Sequence, residues 1–118
     1  MASTKTSKTL YASASLAAST AVNTTEWTMT TCYGGLAAVK LTNGATAPTT
    51  APVVKFYVGE ASGTKRLLYQ AAGDTTNSSV SDIICEIPPS AMYCNITITN
   101  GATNAITVEA YGQELTTI

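Results

Sequence analysis

Apolar and polar residues alternate with a period of two over much of this chain, and no stretch sustains helical spacing for three turns. In residues 26–33 Trp27, Met29 and Tyr33 point one way and threonines mostly the other, which predicts a strand with Trp27 as a core anchor. Gly34 and Gly35 end that run. A second strand is expected over 36–41, stopping at Thr42-Asn43-Gly44, where Asn-Gly supplies the positive φ of a tight turn. Pro48 and Pro52 mark a loop that feeds 53–58, where Val54, Phe56 and Val58 alternate with Lys55 and Tyr57. Residues 59–63 turn the chain into a strand at 65–70, and the polar stretch 73–79 reads as an exposed connection. Strands at 80–87 and 92–99 flank Pro88-Pro89-Ser90-Ala91, and a last strand over 105–111 carries Ile106, Val108 and Ala110 inward.

Short strands broken every 8 to 12 residues or so predict an all-β fold, an antiparallel β-sandwich or jelly roll of seven to eight strands. Parity sets the expected registers. A hairpin centred on Pro89 and Ser90 would place Cys85 opposite Cys94, Ile87 opposite Met92 and Ile83 opposite Ile96, all on one side. A five-residue loop from Asn100 to Asn104 would pair Ile98 with Ile106 and Ile96 with Val108. A short internal echo, KLTNGAT at 40–46 and TITNGAT at 97–103, suits two similar strand-loop-strand units, although common turn chemistry produces such echoes too.

A chain of 118 residues is long enough for one domain with its own core. Charged residues are only 11% of it, against a usual share of about 25%, so solubility rests on hydroxyls. Thr and Ala supply roughly a third of the residues, and Thr favours pleated strands because its branched Cβ is stiff. A net charge of −1 with six scattered Lys and Arg gives no basic stripe for phosphates, so nucleic acid is not an expected partner. The apolar runs are a few residues long, far short of the roughly 20 a membrane helix needs. Residues 1–23 read as a polar N-terminal arm, flexible alone or ordered on a neighbour, ahead of a sandwich domain over 24–118. Lys5 and Lys8 beside an Ala-rich stretch imitate a secretory signal, but Ser13, Ser15, Ser19 and Thr20 interrupt its apolar part.

Candidate chemistry is sparse. The chain has no histidine, and Cys32, Cys85 and Cys94 lack zinc-ligand spacing, so buried thiols are the expected state and no metal or other cofactor is expected. The seven acids are Glu26, Glu60, Asp74, Asp82, Glu86, Glu109 and Glu114, most of them in loops or on outward strand positions. Asp82 and Glu86 share one outward side, yet nothing around them argues for the raised pKa of a glycosidase acid, and catalysis is not expected. Nucleophile elbows, phosphate loops and calcium loops are all missing from the sequence. Tyrosine brings large contact area at low rotamer cost. The outward Tyr57, Tyr93 and Tyr111, with Lys5, Lys8 and Tyr11 of the arm, are therefore the candidate interface residues.

The stretches AVKLTNGAT, VVKFYVGE and IPPSAMYCNITITNGATNAITVEAY resemble parts of small bacteriophage virion proteins, closest to head decoration, or cement, proteins. The likeness spans about residues 24–115 and lies in strand and turn style with an aliphatic-Pro-Pro-Ser-Ala-x-Tyr corner. It implies a β-sandwich or jelly roll, often trimeric, that sits on the outer shell of a phage head and binds the major capsid protein or another virion protein. Other virion modules of tail, collar or fibre share that style. A secreted carbohydrate- or receptor-binding sandwich is a further reading, and it predicts signal removal near Ala18 to Ala21, a Cys85 to Cys94 bridge and a calcium or sugar requirement.

Overall fold

A computed structural model describes residues 4–117, and the described chain is built from strands alone. They are β1 (Thr4–Leu16), β2 (Ala21–Asn23), β3 (Trp27–Thr28), β4 (Gly35–Asn43), β5 (Val53–Ala61), β6 (Thr64–Ala72), β7 (Val80–Ile87), β8 (Tyr93–Thr99) and β9 (Ile106–Thr117). One sheet has the order β1-β9-β4-β7 and the other β2-β8-β5-β6, with β3 also paired to β8. Every pairing is antiparallel.

The period of two decides what lies between the sheets. Ala37, Val39 and Leu41 of β4, Val54 and Phe56 of β5, Cys94, Ile96 and Ile98 of β8, and Ile106, Val108 and Ala110 of β9 are all buried. Burying each large aliphatic or Phe side chain contributes about 1.5–3 kcal/mol relative to exposure. Trp27 anchors one end of this core. Its indole Nε1 donates a 2.5 Å hydrogen bond to Glu114 Oε1, and the ring lies against Gly112, where an added Cβ would stand 2.8 Å from Trp27 Cη2. Two buried asparagines tie down the other end. Asn43 Nδ2 donates to the carbonyls of Asp74 and Thr76, both at 2.9 Å, while Asn100 Nδ2 donates to Leu16 O at 3.0 Å and Asn104 O at 2.9 Å. These are the asparagines of the repeated TNGAT, so the sequence echo corresponds to two similar loop anchors.

The strands expected over 36–41, 53–58, 65–70, 80–87, 92–99 and 105–111 are present, most with longer ends, and the described residues form nine strands rather than seven or eight. The expected registers differ. Pro88 and Pro89 carry the chain from one sheet to the other, so β7 and β8 form no hairpin: Cys85 stands opposite Ala37, and Cys94 opposite Val58 and Trp27. The link from β8 to β9 crosses in the same way, and Val108 pairs with Leu41 and Ala14 rather than with Ile96. Parity is blind to this distinction, because a sandwich crossing and a hairpin both keep apolar residues inward. Of consecutive strands in the described residues only β5 and β6 pair, through Ser62-Gly63 with Gly63 at φ 79°. Gly44 does not take the positive φ expected of Asn43-Gly44; Ser19, Ser78, Asn104, Gly34 and Gly63 do.

The N-terminal stretch is also different from a free arm. Thr4–Leu16 is an edge strand on β9 of the same chain, with Leu10 and Leu16 buried and most of its other side chains exposed. Main-chain pairing holds a strand whose Ser and Thr side chains carry little apolar signal. In the stretch 26–33 only Trp27–Thr28 is strand. Met29 is buried beyond it, and Tyr33 lies 46% exposed in the following loop.

Candidate functional site

The six expected interface residues do not converge. Tyr57 and Tyr93 lie on the outer side of the β2-β8-β5-β6 sheet, where Tyr57 stands opposite Asn95 and Leu67, and Tyr93 opposite Gly59 and Thr28. Tyr111 is on the outer side of the other sheet, opposite Ala38 and Thr9, and its hydroxyl donates to Glu109 Oε2. That bond holds the Tyr111 phenol above its ordinary pKa, because the phenol can donate it only while it keeps its proton. Tyr11 is half-buried against the core. Lys8 forms a 3.7 Å ion pair with Glu114, and Lys5 lies at the rim of an open groove.

That groove, about 720 Å³, sits at the Trp27 end of the sandwich. Tyr33, Leu36, Leu68, Pro88, Pro89 and Leu115 line it, with Lys5, Glu86 and Glu114 at its edge. The loops around it need specific backbone: Gly34 has φ 78°, and a Cβ there would stand 2.4 Å from Ile87 O. Beside the groove runs β6, the edge of its sheet, with Leu67 49%, Leu68 40% and Tyr69 46% exposed. A register shift between Phe56 and Tyr57 of β5 sets Leu68 apart as the extra residue, and the Tyr69 ring packs 6.0 Å from that of Phe56.

Reading the chain by alternation missed this strip. Its signal was three consecutive apolar residues, Leu67-Leu68-Tyr69, which a half-buried strand does not need. Next to it Lys65 crosses Gly59 to reach Glu26, which also accepts a bond from Ser62 Oγ at 2.8 Å. The Lys65 and Ser62 bonds hold the Glu26 carboxyl below its usual pKa. All three cysteines are thiols. Burial pushes Cys32 and Cys85 upward, and takes Cys94 to about 12, so none has the thiolate character of a nucleophile at neutral pH. Among the described residues, no group of three or more Cys, Asp or Glu side chains is placed to hold a metal ion. Asp82 and Glu86 lie on the outer side of β7, opposite Lys40 and Leu36.

Several solved structures share this arrangement of strands. A chain from the disulfide-linked pili of Bacillus endospore appendages is 14% identical, with a TM-score of 0.58 over 100% of this chain and 93% of that one. The SPBc2 prophage-derived protein YomS is 15% identical, with a TM-score of 0.51 over 96% of each chain. A chain of infectious bursal disease virus, Gx strain, is 12% identical with a TM-score of 0.61; the match takes 95% of this chain but 32% of the viral one. No protein-family model and no curated protein sequence matches the chain. The likeness is one of fold: an all-β sandwich of a kind found among virus, prophage and pilus proteins.

Proposed function

We propose that this chain is a non-enzymatic structural protein of a phage virion, a decoration subunit that docks on the outer shell of the head. The observation that carries the reading is the groove at the Trp27 end. Apolar side chains of Tyr33, Leu36, Leu68, Pro88, Pro89 and Leu115 gather there on a chain with few charges, which suits contact with another protein surface. The fold is shared with a prophage-derived protein and with part of a virus chain, and both support a virion setting. Many copies on one shell would make individually modest contacts strong.

The secreted-binder reading is less well supported. Removal of a signal near residues 18–21 would strip β9 of its partner β1 and take Leu10 and Leu16 out of the core.

Antibody labelling of virus particles from the cells that encode the chain tests the proposal. Label over the heads is the expected result, lost when Leu36→Lys places a charge in the groove. Label confined to tails, or protein found only free of particles, contradicts it.

A further inference from the structure

Pro88 and Pro89 carry the chain from the end of β7 into the other sheet, and a cysteine sits on the inward side of each strand beside that corner. Cys85 of β7 is 7% exposed and Cys94 of β8 is 1% exposed. Hydrogen bonds hold the corner between them in place. Ala91 N–H donates to Pro88 O at 3.1 Å, Met92 N–H to Gly59 O at 3.2 Å, and Met29 N–H to Met92 O at 2.7 Å. Gly34 packs against the same corner, where an added Cβ would stand 2.9 Å from both Pro88 C and Pro89 N.

Stacked sheets usually lie about 10 Å apart. Here Cα atoms of β7 and β5 approach within 8 Å across the sandwich, and β5 is the strand that sets Val58 opposite Cys94. Cys85 stands opposite Ala37, whose other partner is Gly112, while Cys94 stands opposite Trp27, whose ring lies on Gly112. Both sulfurs thus belong to the core at the Trp27 end. Burial is the main reason that the Cys94 thiol titrates at about 12, and a charge on Cys85 adds to the rise, which makes the two electrostatic neighbours.

We propose that Cys85 and Cys94 form a disulfide between the two sheets when the protein meets an oxidising pool of small disulfides, locking the Trp27 end outside the reducing interior of a cell. Such a bond joins facing sheets rather than neighbouring strands. In the folded chain burial keeps both thiols protonated, so the exchange takes place as the chain folds or opens. The Cys85 thiolate, on the edge strand, attacks one sulfur of a small disulfide and releases a small thiolate. The Cys94 thiolate then attacks the Cys85 sulfur of the mixed disulfide and displaces the second. Two protein thiols are oxidised to one S–S bond, and the small disulfide is reduced to two thiols that take up the two protons. The inference concerns the sandwich alone and needs no shell, so it stands or falls separately from the virion reading.

The full chain with Cys32→Ser, refolded from urea in oxidised and reduced glutathione, tests the bridge. Its mass should fall by two hydrogens, with peptide mapping placing the bond between Cys85 and Cys94 and the circular dichroism spectrum matching that of the reduced protein. Closing residues 85–94 into a loop should raise the folding equilibrium constant in urea titrations roughly a hundredfold, and reductant should reverse the gain. Cys94→Ala should abolish the difference between oxidising and reducing buffers. The unaltered chain, refolded in parallel, should carry the same bridge with Cys32 free. A folded product that keeps both thiols, a bridge to Cys32 instead, a bridged chain without the native spectrum, or equal stability with and without reductant would overturn the proposal.

Discussion

β1 and β6 are both long edge strands with mostly exposed side chains, yet they present different chemistry to solvent. β1 shows Ser, Thr and Lys, holds on through Leu10 and Leu16, and is repeatedly out of step with β9. β6 shows Leu67, Leu68 and Tyr69 next to Lys65 and Arg66, is itself twice out of step with β5, and is tied to it by the hairpin at Ser62-Gly63. The comparison teaches that an open main-chain edge is not in itself a contact surface. Side chains along it decide whether water or another strand is the better neighbour. On that view the N-terminal side of the molecule is where stability is anchored, and the β6 side is where apolar side chains are left in solvent.

Changes on the anchored side should cost the most. Trp27→Ala removes the ring beneath Gly112 and the indole N–H that bonds Glu114, and should lower unfolding free energy by about 3–5 kcal/mol in urea titrations. Asn100→Ala leaves the Leu16 and Asn104 carbonyls without their amide donor at the junction of β1 and β2. It should cost about 1–3 kcal/mol by the same measurement. Leu68→Ala, on the other strand, should alter the stability of the chain by no more than about 0.5 kcal/mol. Equal losses from Asn100→Ala and Leu68→Ala would erase the distinction between the two sides.

This contrast was only half legible in the sequence. Strands with clean alternation, such as β7 and β8, and the inward set Ile106, Val108 and Ala110 were readable because one side of each is buried. Sheet membership was not, since Pro88 and Pro89 could turn a hairpin or cross a sandwich with the same inward residues. β1 was hidden by its Ser and Thr, and the β6 strip by a bulge that breaks the period of two. The tyrosines were correctly read as outward at Tyr57, Tyr93 and Tyr111, but outward means opposite sides of a two-layered molecule.

Smaller effects sharpen the picture around β6. Glu26 has its folded pKa held below the unfolded value by Lys65 and Ser62, so its contribution to stability is present above the unfolded carboxylate pKa and is lost as pH falls through the folded one. The acid limb of a stability-versus-pH curve should therefore flatten slightly in Glu26→Gln. Smallest of all, thiol labelling of the native protein should reach the half-buried Cys32 first, with Cys85 and Cys94 reacting only as the chain unfolds.

Hydrogen exchange of the full-length chain, compared strand by strand, tests the difference between the two edges most directly. Slower exchange in β1, which Leu10 and Leu16 anchor in the core, than in β6 is the predicted result; exchange in β1 as fast as in β6 or faster would contradict it.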